Sequence, residues 1–230
     1  MPNYCDNTFK VKGKMDDINR FLEESTSMNV GYLSNKTGNY TIEMFLDFEK
    51  IHPTPKKRDG EDIDNWYDWR IKNWGTKWNV CDTYHFTLRA TEDNQVELTT
   101  TFSTAWTPAD KLYKHLFKKY KDTSLEFYVD YYEGGCAFAG ETRAKNGQII
   151  EERYHEYRKD DEEEKLKYYA YLIEKDFESN EWLEDQIYEH MEMDDIEEEI
   201  IDQTIAEFNT YFRRNNFEKA AELFLSKVNY

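Results

Sequence analysis

The sequence predicts an α+β chain: a mostly antiparallel sheet with helices on one face, followed by an all-helical extension. Three observations predict it. Up to about residue 154, short apolar runs of period two alternate with segments of helical period, and Asn146-Gly147 marks a hairpin between two such runs. Trp66 to Asp82 (W-Y-D-W-R-I-K-N-W-G-T-K-W-N-V-C-D) holds four of the six tryptophans, aromatic surface enough for the core of one domain. From Asp160 the pattern becomes wholly helical and strongly acidic.

Taken in order, Thr8 to Val11 alternates around Phe9 and Val11 and reads as the first strand, which Gly13 ends. Met15, Ile18, Phe21 and Leu22 share one face of a helix over 15–24, with Asp16 and Asp17 favoured by the dipole in its first turn. Ser25 to Asn39 is rich in Ser, Asn and Gly and predicts a loop; Tyr40 to Phe48 predicts a strand. Pro53 and Pro55 forbid regular structure in 51–62, a loop tipped by Lys56, Lys57 and Arg58. Trp66, Trp69 and Ile71 lie close to helical spacing, and Gly75 reads as the stop. Tyr84 to Ala90 and Gln95 to Ala105 predict two strands. Thr107 as cap and Pro108 at the first helical position open a helix carrying Leu112, Leu116 and Phe117 inward, with Lys111, Lys114, Lys118, Lys119 and Lys121 around it. Leu125 to Tyr132 is a strand broken by Gly134-Gly135, and Cys136 to Thr142 and Gln148 to Tyr154 flank the hairpin turn.

Four helices follow: Leu166, Tyr169, Ile173 and Phe177 stripe the first, and Trp182, Ile187 and Met191 the second. Ile196, Ile200, Ile205, Phe208 and Phe212 mark the third, and Phe217 to Val228 forms the fourth. The predicted organisation is one domain over 1–154 and an acidic helical extension over 155–230.

Net charge is −18, and it is uneven: residues 1–150 hold 23 acids and 20 bases, residues 151–230 hold 25 acids and 10 bases. Such a chain does not bind nucleic acid directly through a broad basic surface, which phosphate contacts require. It suits a partner with a basic cleft. Cys5, Cys81 and Cys136 are odd in number and widely spaced, so reduced thiols in the cytoplasm are expected, with no metal site and no cofactor. No apolar run reaches the ~20 residues of a membrane span, and the N-terminus lacks the pattern of a secretory signal.

No catalytic constellation stands out. His52, His85, His115, His155 and His190 form no spaced pair, Ser103-Thr104 lacks the setting of a hydrolase nucleophile, and no phosphate-cradling glycine pattern occurs. The chain therefore reads as a non-enzyme. Asp64, Asp68 and Asp82 could meet a divalent ion, though solvation is the stronger reading. Trp66, Trp69, Trp74 and Trp78 are expected mostly buried. A second reading makes Trp66, Trp69, Arg70 and Trp74 a cage for a flat ligand, with Arg70 reading an anion.

The segment M-P-N-Y-C-D-N, the Trp-rich stretch quoted above, F-S-T-A-W-T-P and Y-Y-E-G-G-C-A-F-A-G-E together resemble the YubB ferredoxin-like family of phage and plasmid proteins. The resemblance covers about residues 1–150, with Tyr4 where Trp is usual and Ala109 where a second Pro is common. It implies a ferredoxin-like α+β sandwich encoded by a mobile element. It implies no catalytic residues.

Charge and resemblance together predict a mobile-element protein that binds and inhibits a host defence or nucleic-acid-handling protein in the cytoplasm, its acids imitating phosphates. The candidate partner-binding residues are Glu181, Glu184, Asp185, Glu189, Asp194, Asp195, Glu197, Glu198 and Glu199. The alternative is a ligand- or single-stranded nucleic-acid-binding module that uses the sheet and the Trp-rich stretch. The oligomeric state is left open.

Overall fold

The structure is a computed structural model, and it describes residues 3–32, 40–57, 63–91, 93–158, 160–175, 180–194 and 196–228. Arg58, Phe177 and Asp195 lie outside the described residues. The chain divides into two compact units: residues 1–136 with 140–153, and residues 137–139 with 154–230.

The first unit begins with β1 (Tyr4–Gly13) and α1 (Met15–Ser25), then an insertion of β2 (Thr26–Tyr32), β3 (Tyr40–Leu46), α2 (Phe48–Ile51) and α3 (Trp66–Asn73). β4 (Thr83–Ala90), β5 (Val96–Ala105), α4 (Asp110–Lys119) and β6 (Glu126–Glu133) follow, and then the hairpin β7 (Phe138–Lys145) and β8 (Gln148–Glu156). The six-stranded sheet has the order β4-β5-β1-β6-β7-β8, and β2 and β3 make a separate two-stranded ribbon. β1 pairs antiparallel with both β5 and β6. Without the insertion, β1-α1-β4-β5-α4-β6 is the split β-α-β arrangement of a ferredoxin-like fold, with β7 and β8 added at one edge.

The period-two pattern puts one face of the sheet inside. Phe9 stands opposite Thr100 on β5 and Val129 on β6, and Val11 opposite Leu98 and Phe127. These meet Ile18 and Phe21 from α1 and Leu112, Tyr113, Leu116 and Phe117 from α4, so the helices cover that one face. Asn146 and Gly147 have φ of 52° and 76°, the left-handed pair that a two-residue hairpin turn demands.

Several local expectations are corrected. Residues 26–32 form a strand, because β3 supplies the partner that their polar composition hides. Met15 is exposed, since it stands at the first position of α1 with the core one turn further on. Thr107 does not cap α4: its hydroxyl donates to the Gly75 carbonyl at 2.8 Å, and the helix starts at Asp110 after Ala109.

The second unit holds α5 (Glu162–Lys175), α6 (Asn180–Met193), α7 (Glu198–Arg213) and α8 (Phe217–Lys227), with the adjoining ends of β7 and β8. α5 packs on α8, which also meets α7 and α6. Tyr169 and Phe224 touch across the α5–α8 seam, ring centroids 5.1 Å apart. Leu183, Ile187, Met191, Ile201 and Phe208 bring α6 and α7 into the same core. On α5, Leu166 is only half-buried, and it is Lys165 that lies inside, its ammonium 5.6 Å from the Tyr157 ring. Ile196 and Ile200 are exposed, outside the apolar stripe expected to include them.

Candidate functional site

The Trp-rich stretch forms a filled cluster. α3 is two turns long, and Gly75 stops it at φ 95°, a conformation that glycine reaches without strain. Of its tryptophans only Trp74 is fully buried: Trp66 and Trp69 are half-buried and Trp78 is exposed. The expectation of four mostly buried rings is corrected at Trp78, which lies past the stop at Gly75 and stands exposed with the Lys77 ammonium 4.0 Å from its ring. Trp74 meets Phe48 edge-on, and its indole N–H donates to the His52 carbonyl at 2.8 Å.

The structure brings Trp66, Trp69, Arg70 and Trp74 together, with Arg70 itself as the occupant. Its guanidinium carbon lies 5.0 Å from the Trp66 ring and 4.7 Å from the Trp74 ring. Arg70 Nη2 donates to Glu49 Oε1 at 2.6 Å and Nε donates to Thr54 Oγ1 at 3.0 Å. Thr54 in turn donates its backbone N–H and hydroxyl to the two oxygens of Glu49. A fork engaged this way by a carboxylate joins α3 to α2 and is not presented to an outside anion. Asp64 pairs with Lys57, while Asp68 and Asp82 are exposed. Among the described residues no three His, Cys, Asp or Glu side chains are grouped to hold a metal ion.

A histidine pair lies beside this cluster. The rings of His52 and His115 stack at 4.2 Å, and His52 meets Trp69 edge-on at 5.0 Å. Burial pushes both imidazoles below their ordinary 6.5, and for His115 the His52 ring, Lys119 and Lys118 add to it. The two lie 63 positions apart in the chain, so only the docking of α4 against α2 reveals them. The lysines of α4 are partly spent on neighbours: Lys119 pairs with Glu24, Lys114 with Glu152, and Lys111 donates to the Ile71 carbonyl.

On the outer face of the sheet, Lys10, Lys12, Glu97, Glu126 and Arg143 surround Tyr128 in a groove of about 420 Å³. The Lys10 ammonium and the Arg143 guanidinium carbon lie 5.5 and 5.2 Å from the Tyr128 ring centroid, and its hydroxyl donates to the buried Glu141 at 2.8 Å. Burial raises the Tyr128 phenol, and Asp130 and Glu141 raise it further. This ring is held among protein cations, and the face around it is close to charge-balanced, unlike the basic stacking platform that single-stranded nucleic acid uses.

The acids of the second unit are arranged differently. From Asn180 to Phe212 the chain carries twelve acids and no Lys or Arg. Glu181, Asp185, Glu189 and Glu192 recur at helical spacing on α6 and are exposed, as are Asp194 and Glu197 to Glu199 ahead of and into α7; Glu184 is half-buried. α6, and α7 before Arg213, contain no Lys or Arg of their own. In contrast, α5 and α8 pair theirs internally, as Lys167 does with Glu163 and Lys219 with Glu222. Exposed apolar side chains sit within the acidic run: Met193 is 71% exposed and Ile200 48%. No helix among the described residues is long and apolar enough to cross a membrane.

Residues 83–182, from β4 into α6, match a family described as the ferredoxin-like domain in Api92-like protein. That match supports a ferredoxin-like family, under a different name from the one the sequence resemblance carried. The comparison with curated proteins returned no match. Among solved structures, the chain is similar to the crystal structure of a protein api92 from Yersinia pseudotuberculosis, with 10% identity, 69% of this chain and 99% of that one covered, and a TM-score of 0.45. Residues 83–182 are thus similar to a ferredoxin-like domain, in keeping with the strand order of the sheet.

Proposed function

We propose that the chain is a non-enzymatic protein of a phage or plasmid, acting in the host cytoplasm, that binds and inhibits a host protein with a basic nucleic-acid cleft. A nucleic-acid-binding protein of host defence is the target class. The observation that carries this reading is the uninterrupted acidic run over α6 and α7, with no cation of its own and with apolar side chains exposed inside it. Like charges at neighbouring positions on a helix repel by a few tenths of a kcal/mol per pair. A basic cleft relieves that repulsion and speeds association. The exposed apolar residues add contact area that phosphates lack, and so give preference over nucleic acid itself.

The test is capture of partners from lysate of a bacterial host on the immobilised full chain, eluted with a salt gradient and identified by mass spectrometry. Basic nucleic-acid-binding proteins leaving the column as salt rises, and competed off by duplex DNA, support the reading. Retention of nothing above a neutral control column, or of prey insensitive to both salt and DNA, contradicts it.

A further inference from the structure

β4 and β8 are the two edges of the six-stranded sheet, and they are treated differently. β8 carries Glu151, Glu152, Arg153 and Glu156, the charges with which natural edges discourage pairing. β4 reads T-Y-H-F-T-L-R-A, with Arg89 its single full charge and no proline. Tyr84 is 64% exposed on it and Leu88 49%. The register slips between Thr83 and His85, so Tyr84 is the extra residue of a bulge. Bulges at sheet edges re-aim a side chain.

Beside β4 the β2–β3 ribbon approaches without joining the sheet. Two adjoining grooves of about 460 and 440 Å³ lie there, sharing Glu43, Thr83 and Tyr84. Asp82 and Phe45 line one, and His85 and Phe86 the other. The lining holds two carboxylates and no Lys or Arg. Here a long, weakly charged strand edge faces a slot with an acidic wall and an exposed aromatic ring.

We propose that the outer edge of β4 and the slot beside it take up an extended, Arg-bearing segment of another protein as an added β-strand. Among the described residues β4 pairs with β5 alone, and main-chain hydrogen bonds to its other edge supply affinity. Glu43 and Asp82 select for cationic side chains, and the Tyr84 face accepts a guanidinium. The inference is independent of the acidic helical surface, which is in the other unit.

The experiment uses the full chain and an acetylated heptapeptide alternating Val and Arg, read by hydrogen exchange of the backbone amides. A control peptide of the same sequence and charge is methylated on every internal peptide nitrogen and cannot pair as a strand. Saturating peptide is expected to slow exchange in β4 by about tenfold while leaving β8 unchanged. The methylated peptide is expected to give no protection in β4, even where its charge holds it to the acidic helices. Glu43→Gln with Asp82→Asn is expected to weaken the β4 protection curve by about fivefold in Kd. If that double variant melts, the methylated comparison on the natural chain still decides. Unchanged β4 exchange, or equal protection by both peptides, overturns the proposal. So does β4 protection that rises with protein concentration alone together with a doubled mass, which assigns the edge to a second copy.

Discussion

At the scale of single residues, Trp74 and Arg70 bear the weight that the sequence spreads over four tryptophans. Trp74→Ala removes a fully buried ring and is expected to cost about 3–5 kcal/mol in urea unfolding. Trp78→Ala, at an exposed ring, is expected to stay within about 0.5 kcal/mol. A large loss at Trp78 and none at Trp74 would reverse this assignment. The density of indoles in 66–78 was legible in the sequence, but which ring enters the core depends on Phe48 and Phe102, placed by α2 and the distant strand β5. The histidine pair was not legible at all, since stacking of His52 on His115 needs the docked positions of α2 and α4. Its pH consequence has a definite sign. Both rings titrate below 6.5 in the folded chain, so below that value the unfolded state takes up protons that the folded state refuses. Stability of the first unit is therefore expected to fall as pH drops below about 6.5. His115→Phe, which keeps a ring against His52, is expected to flatten that slope in thermal melts from pH 7.5 to 5.5.

At the scale of elements, α1 is held to α4 through Glu24. This carboxylate accepts from Arg20 Nε at 2.9 Å and the Tyr120 hydroxyl at 3.0 Å, and lies 3.2 Å from Lys119 Nζ. The Arg20 hydrogen bond first, then those of Lys119 and Tyr120, hold it down to about 2 from an ordinary 4.5. The stability it contributes is present above 4.5 and is lost as pH falls toward 2. Glu24→Gln is expected to lower the urea midpoint at pH 6 and to reduce its decline between pH 5 and pH 2.5; an unchanged decline would contradict this. Strand and helix positions were largely legible, because the alternation of β5 and the 3.6 period of α4 are strong local signals. β2 was hidden for the opposite reason. T-S-M-N-V-G-Y has little apolar alternation, and it becomes a strand by pairing with β3. The start of α4 moved for a related cause: Thr107, a good cap by type, is bound to Gly75 across the fold.

At the scale of the molecule, charge separates two chemistries in one chain. The first unit carries a nearly balanced surface on a ferredoxin-like sheet, and a chain ending at residue 154 is expected to keep cooperative unfolding and a near-UV aromatic signal. Loss of either would make the helical extension part of that core. The second unit concentrates carboxylates where its own sequence supplies no cations, and this was legible from composition alone; that Met193 and Ile200 stand exposed among them was not. The central claim is that these acids bind a basic partner instead of only keeping the chain soluble. The most direct test replaces Glu181, Asp185, Glu189 and Asp194 together by Gln or Asn, which preserves shape. Binding of this variant to the captured host protein is then measured by titration calorimetry at low salt, with circular dichroism checking the fold. An intact fold with affinity reduced by about a hundredfold or more is the predicted result, four exposed charges each contributing on the order of 1 kcal/mol or less. An intact fold binding as tightly as the natural chain would contradict the claim and leave these acids a solubilising surface.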